Sequence, residues 1–159
     1  LLDMLQRLGR SPTVHEVKTI VLRPFLQQEH PKLQPLLKAL ANERKPELMV
    51  RVLEVLGGDG RIPLDQRHFT TGISACARSN RWQLACGLLH CMPRAAVLPD
   101  VFHYSAAISS CEKAWRWQEA VQLFEAMHRG KIQPNVVSFN ATIGALAKGA
   151  QWQHALGLF

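Results

Sequence analysis

The chain has 159 residues, 47% of them apolar and 19% charged, a balance that excludes a disordered polymer and fits one folded domain. No apolar run approaches the ~20 residues that cross a membrane as a helix, so no membrane partner is expected. Nineteen Lys and Arg against twelve Asp and Glu leave a net charge of +7, which favours acidic partners, nucleic acid before anionic lipid. The excess is uneven: residues 1–65 hold ten basic and eight acidic side chains, residues 66–159 nine and four. A start at Leu1 and a stop at Phe159 inside a periodic stretch are what a fragment cut at both ends would have.

Residues 1–30 are the least regular. Ser11 and Pro12 make a helix start, N-cap then Pro at the first position, ahead of an apolar pattern through Val14, Val17, Val21 and Leu22. This segment is expected to be a helical pair or a cap. Over 31–65 the pattern predicts two helices, about 32–43 and 46–57, the second opened by Pro46 and closed by Gly57 and Gly58. Its ending, "RIPLD" at 61–65, echoes "KIQPN" at 131–135, so 31–65 looks like a degenerate copy of the units C-terminal to it.

From residue 66 the chain repeats every 35 residues without a gap: 66–100, 101–135, and 136–159, the last cut short. Trp82, Trp117 and Trp152 mark the period, each followed by Gln and, two residues after that, Ala. Phe69, Tyr104 and Phe139 match, as do Ile73, Ile108 and Ile143, Ala85, Ala120 and Ala155, and Leu88, Leu123 and Leu158. In the second unit Tyr104, Ile108 and Cys111 form the apolar stripe of one helix, and Trp117, Ala120, Phe124 and Met127 that of another. The periodic tryptophans should open the buried face of each second helix, while Trp115 should be exposed in the turn. One hairpin cannot bury its own apolar face but stacked hairpins can, so the expected fold is all-α, an α-solenoid.

Cys76, Cys111 and Leu146 share one position of the repeat, which makes it apolar and buried rather than a disulfide or metal position. Four thiols with no framework suggest a reducing compartment. Cys86, His90, Cys91 and His68 contain metal-ligand types, but Val121 and Glu125 replace Cys86 and His90 in the next unit, and no metal is expected. No phosphate loop, metalloprotease motif or nucleophile elbow is present, so no catalytic residue, cofactor or small-molecule substrate is assigned.

The period of 35, and the stretches "VSFNATIGALAKGAQWQHALGLF" and "FEAMHRGKIQPN", resemble pentatricopeptide repeats, which open Val-x-x-Tyr-Asn and close Gly-Ile-x-Pro-Asp/Asn. The resemblance is strong over 66–159, weaker over 31–65 and absent over 1–30. It implies a right-handed superhelix that binds single-stranded RNA, about one base per repeat. On this resemblance the base-reading residues are Thr70 with Asp100, Ser105 with Asn135, and Asn140, for a target 5′-G-A-Y-3′ in which Y is C or U. Pro35, at the corresponding point of the degenerate unit, offers no polar side chain and should read nothing. Base-wedging residues are Arg67, Phe102 and Val137, with Arg67 departing from the apolar pattern. Arg78, Lys113 and Lys148 would face phosphate. Helix capping accounts equally for the short polar groups, and solvated cations at helix C-termini for the basic ones. The implied role is organelle RNA metabolism (processing, stability, editing or translation) in a plastid or mitochondrion. The second reading is a tetratricopeptide-like solenoid whose partners are other proteins.

Overall fold

The computed structural model describes residues 2–7, 13, 15–20, 33–59 and 62–151, together with 153 and 157. Among these residues there are helices and no strands: α1 (Leu2–Gln6), α2 (including 15–20), α3 (Leu33–Asn42), α4 (Pro46–Asp59), α5 (Gln66–Arg78), α6 (Trp82–Cys91), α7 (Val101–Lys113), α8 (Trp117–Arg129) and α9 (Val136–Lys148). A short 3₁₀ turn, Pro93–Ala95, follows α6.

The expected helix start at Ser11 and Pro12 lies outside the described residues, as do Val14, Val21 and Leu22. Next to it, Thr13 and Glu16 form a reciprocal cap: Thr13 N–H donates to Glu16 Oε2 at 2.8 Å, and Glu16 N–H to Thr13 Oγ1 at 3.3 Å. The Thr13 N–H and the Thr13 hydroxyl, both donating to Oε2, hold the Glu16 carboxyl below its usual range. Val17 is buried with Leu5 in the same core as the repeats. Pro46 opens α4 as expected, but the helix does not stop at Gly57; it runs through both glycines to Asp59. A Cβ on Gly57 would sit 3.3 Å from Leu64 and 3.4 Å from Ala95, so its bareness admits close neighbours rather than ending the helix.

The helices stack as hairpins. First helices form one continuous row, α3 on α5, α5 on α7 and α7 on α9, while α4 packs on α6, α6 reaches α7 and α8 reaches α9. Phe69, Ile73 and Cys76 from α5 share one buried core with Ala85, Leu88 and Met92; Ile108, Cys111, Ala120, Phe124 and Met127 continue it one unit on. Each large side chain so buried contributes about 1.5–3 kcal/mol. Cys76, Cys111 and Leu146 are fully buried, as their interchange requires. Burial, with Glu47 nearby, pushes the Cys76 thiol up to about 12, so it behaves as a small apolar group.

The hairpin turns repeat atom for atom. The N–H of Arg81, Arg116 and Gln151 bonds back to the carbonyl of Cys76, Cys111 and Leu146 at 2.8–2.9 Å. This closure needs a left-handed residue just before, and Asn80, Trp115 and Ala150 take it at φ 56°, 61° and 55°. Trp115 is 66% exposed in that turn, as its place off the 35-residue period predicts. The same closure ends α8, where the Ile132 N–H meets Met127 O and Lys131 sits at φ 55°.

The periodic tryptophans do more than was expected of them. Trp82 and Trp117 are half-buried: they pack against the core, as expected, and also meet the next unit. The Arg116 guanidinium lies 4.7 Å over the Trp82 ring, and Gly149 abuts Trp117 so closely that a Cβ would fall 2.3 Å from Cδ1. Trp152, Ala155 and Leu158 lie outside the described residues.

Two substitutions test this packing. Gly149→Ala must displace a rigid indole and should lower stability by about 1–3 kcal/mol in thermal or urea unfolding. Lys131→Gly relieves a left-handed side chain and should raise it by roughly 0.5–1 kcal/mol, after the extra chain entropy of glycine is subtracted.

Candidate nucleic-acid interface

Each first helix of the repeats starts on a short polar side chain. Asp65, Asp100 and Asn135, 35 residues apart, have extended backbones and cap α5, α7 and α9. Each accepts the N–H of the residue three places on: His68 at 3.0 Å, His103 at 3.2 Å and Ser138 at 2.9 Å. Those third residues reach back to the cap, which completes a capping box with His or Ser where Glu or Gln is usual. Capping is therefore a real duty of Asp100 and Asn135.

The same junctions bring the expected base-reading residues together. In the second unit Ser105 Oγ donates to Asn135 Oδ1 at 3.2 Å. Ser105 is only 4% exposed, so its hydroxyl lies at the bottom of the junction. In the first unit Thr70 and Asp100 share a neighbour. His103, 2% exposed, has Nδ1 2.6 Å from Asp100 Oδ1 and Nε2 3.0 Å from Thr70 Oγ1. Thr70 is exposed and its hydroxyl also donates to Gln66 O at 2.8 Å. Asn140 is exposed on α9.

Two residues beyond each cap, Arg67 is exposed, Phe102 is 68% exposed and Val137 54% exposed, all in the first turn of their helices. Large apolar side chains left in water beside a polar junction are available for stacking. The three cations separate. Arg78 and Lys113 end α5 and α7 exposed, whereas Lys148 Nζ reaches back to Glu112, 2.9 Å from Oε1 and 3.3 Å from its carbonyl. That bond joins α9 to α7 and offsets one positive charge.

Sequence reasoning missed Asp65, His68, His103 and Ser138. A signal was present: Asp/Asn-x-x-His/Ser recurs at 65, 100 and 135. The cysteines and histidines of the first unit make local contacts. His90 Nδ1 bonds to Cys86 O at 2.7 Å, and Cys86 faces Cys111 with the sulfurs 3.8 Å apart. Among the described residues no group of three or more His, Cys, Asp or Glu is gathered for a metal.

Stacked hairpins of 35 residues, with capped junctions on one row, define a helical-repeat solenoid. Residues 68–96 match the PPR repeat and residues 99–148 the PPR repeat family, PPR standing for pentatricopeptide repeat. The chain belongs to the pentatricopeptide repeat family. Its fold is similar to two crystal structures of the pentatricopeptide repeat protein PPR10 in complex with an 18-nt psaJ RNA element, one of them a cysteine-to-serine variant. Each has a TM-score of 0.65 and 22% identity, over 94% of this chain and 22% of that chain. The chain thus spans about a fifth of their length. No curated protein matches it in sequence.

The capping box at Asp65 makes stability depend on pH. Burial holds the His68 imidazole below its ordinary value of 6.5, against the pull of Asp65. The folded chain then binds this proton less readily than the unfolded one, so the stabilisation is fully present above about pH 6.5 and is lost as pH falls below it. Urea unfolding between pH 8 and 5 should show this loss, and His68→Gln should flatten it.

Proposed function

We propose that this chain binds single-stranded RNA sequence-selectively, about one base per repeat, through the junctions Thr70–Asp100 and Ser105–Asn135. The observation that carries the reading is the difference in hydrogen-bond character between these two junctions. The Ser138 N–H can only donate, which fixes Oδ1 of Asn135 as the capping atom and turns its Nδ2 amide outward as a donor. Ser105 spends its proton on Asn135 and keeps lone pairs. One donor beside one acceptor matches adenine, with its N1 acceptor and N6 amine. Asp100, with Oδ1 engaged, offers Oδ2 as an acceptor, and Thr70 spends its proton inward. Two acceptors match guanine, which presents N1–H and N2–H₂. Asn140, the first reader of the third unit, goes with a pyrimidine on the family resemblance, which completes 5′-G-A-Y-3′.

Phe102 and Val137 wedge between successive bases, and the Arg67 guanidinium stacks in the same place in the first unit. Arg78 and Lys113 face phosphate; Lys148 contributes less because Glu112 already neutralises it. Three stacked bases supply roughly 3–9 kcal/mol against an association cost of about 4–15. The chain alone binds weakly, and affinity grows with the number of units in the whole protein. The PPR10 structures hold an RNA element of 18 nucleotides in chains several times longer. We extend the reading, on family resemblance, to organelle RNA processing, stability, editing or translation in a plastid or mitochondrion, with no catalysis by these residues.

An NMR titration at low salt tests the proposal, because it detects millimolar binding. A short RNA containing G-A-U should shift Thr70, Asp100, Ser105, Asn135 and Asn140 more than a scrambled RNA does. Equal shifts confined to Arg and Lys would leave only electrostatic attachment, and no shifts would favour the protein-binding solenoid. Ser105→Thr combined with Asn135→Asp makes the second junction acceptor-only and should move its preference from A to G.

A further inference from the structure

We infer that His103, a residue of the second unit, determines which base the first unit accepts; the inference rests on the base-reading proposal above. His103 is the one described side chain that touches both readers of a unit. Its ring lies buried between α5 and α7, with Nδ1 2.6 Å from Asp100 Oδ1 and Nε2 3.0 Å from Thr70 Oγ1 and 3.3 Å from Gln66 O.

The proton positions are set by what each partner can do. A carboxylate only accepts, and a bare lone pair 2.6 Å from it would be repelled, so Nδ1 carries a proton and donates it to Asp100. With Nδ1 protonated, the Asp100 N–H 3.2 Å away has no lone pair to meet there, so in this box the ring's bond to the carboxylate takes the place of the back-bond to the cap N–H. Thr70 has a single hydroxyl proton, and both acceptors within reach, Gln66 O and His103 Nε2, lie inward. With the ring proton on Nδ1, Nε2 is bare, so the Thr70 proton is shared between Nε2 and Gln66 O rather than given to the carbonyl alone, and Thr70 turns lone pairs outward. Asp100 is pinned at Oδ1 by two backbone N–H groups and the ring, which leaves Oδ2 facing out. His103 thus holds both readers as acceptors, in one geometry.

The other junctions lack this bridge. Ser138 stands in the place of His103 one unit on, and its hydroxyl is used on the Asn135 backbone, donating to O at 2.8 Å and accepting from N at 2.9 Å. Ser105 there bonds Asn135 directly. His68 holds Asp65 at 2.9 Å, but the degenerate unit has Pro35, without a hydroxyl, where Thr70 would be. Among the described junctions, only the one assigned to guanine carries a buried ring across its two readers.

The test compares affinities of the chain for short RNAs differing at one base, G-A-U against A-A-U for the first junction and G-A-U against G-G-U for the second. The unsubstituted chain should prefer guanine first and adenine second. His103→Ser, which copies the box at Ser138, should lower the first preference about tenfold, the value of one charge-assisted bond, and leave the second unchanged. His103→Gln keeps a capping-box residue and should do the same. Variants that bind RNA with the guanine preference intact would overturn the inference and leave the base-reading proposal standing. An unsubstituted chain with no base preference would overturn both. Ring ¹⁵N shifts of His103 in the unsubstituted chain give a check independent of any variant's folding. A protonated Nδ1 supports the bridge, and a bare Nδ1 overturns it.

Discussion

The bond from a cap side chain to the N–H three residues on organises the rest of this molecule. At Asp65, Asp100 and Asn135 it ends one unit and starts the next, with an extended cap backbone that turns the chain into a new first helix. At Asn135 the capping atom also accepts from Ser105 on the preceding first helix, and at Asp100 the His103 ring carries the contact across to Thr70. A residue that must cap is thus also a residue through which neighbouring first helices are joined. Only short polar side chains cap well, and replacing one with an apolar group costs about 0.5–2 kcal/mol. The chemical alphabet at each junction is restricted by folding before any ligand is considered.

Around that constraint the units are alike in backbone and individual in contact. Fully buried positions tolerate Cys or Leu because only volume and apolarity matter there. The seams are less uniform. Trp82 is covered by Arg116, Trp117 by Gly149, and among the described seams only the last has a Lys148–Glu112 ion pair. In a linear stack, stability is a sum over units and neighbouring interfaces, so each seam adjusts without disturbing distant ones. That independence lets one junction hold a buried imidazole and the next a direct Ser–Asn bond.

Charge obeys the same division of labour. Arg116 is engaged with Glu119 and Arg81 with Glu47. Arg78 and Lys113 end their helices exposed, where the helix dipole favours a cation. A basic side chain at this repeat position serves the fold at one unit and stands open to solvent at another. The acidic residue at position 112 decides which: no carboxylate occupies the matching place, Ala77, one unit earlier.

Much of this was legible without coordinates because it is local or periodic. The helices of the hairpins, the unit length, the buried stripe and the exposure of Trp115 depend on residues within one turn or on identity at a fixed offset. The glycine pair misled because a bare residue can admit a neighbour as well as end a helix, and sequence does not say which. The tryptophans were half legible: their place on the buried stripe was readable, but a stripe does not reveal what the next unit lays over it. The junction chemistry was only half legible. Short polar residues recur at the right spacing, but whether Ser105 meets Asn135 directly, or Thr70 meets Asp100 through a buried ring, depends on partners 30 and 33 residues apart. By itself the sequence determined the repeat, its helices and the residue types at each junction, since these are matters of periodicity and capping. Tertiary structure alone decided which atoms of those residues are spent on bonds inside the fold and which are not, because that depends on how one unit's rotamers settle against the next.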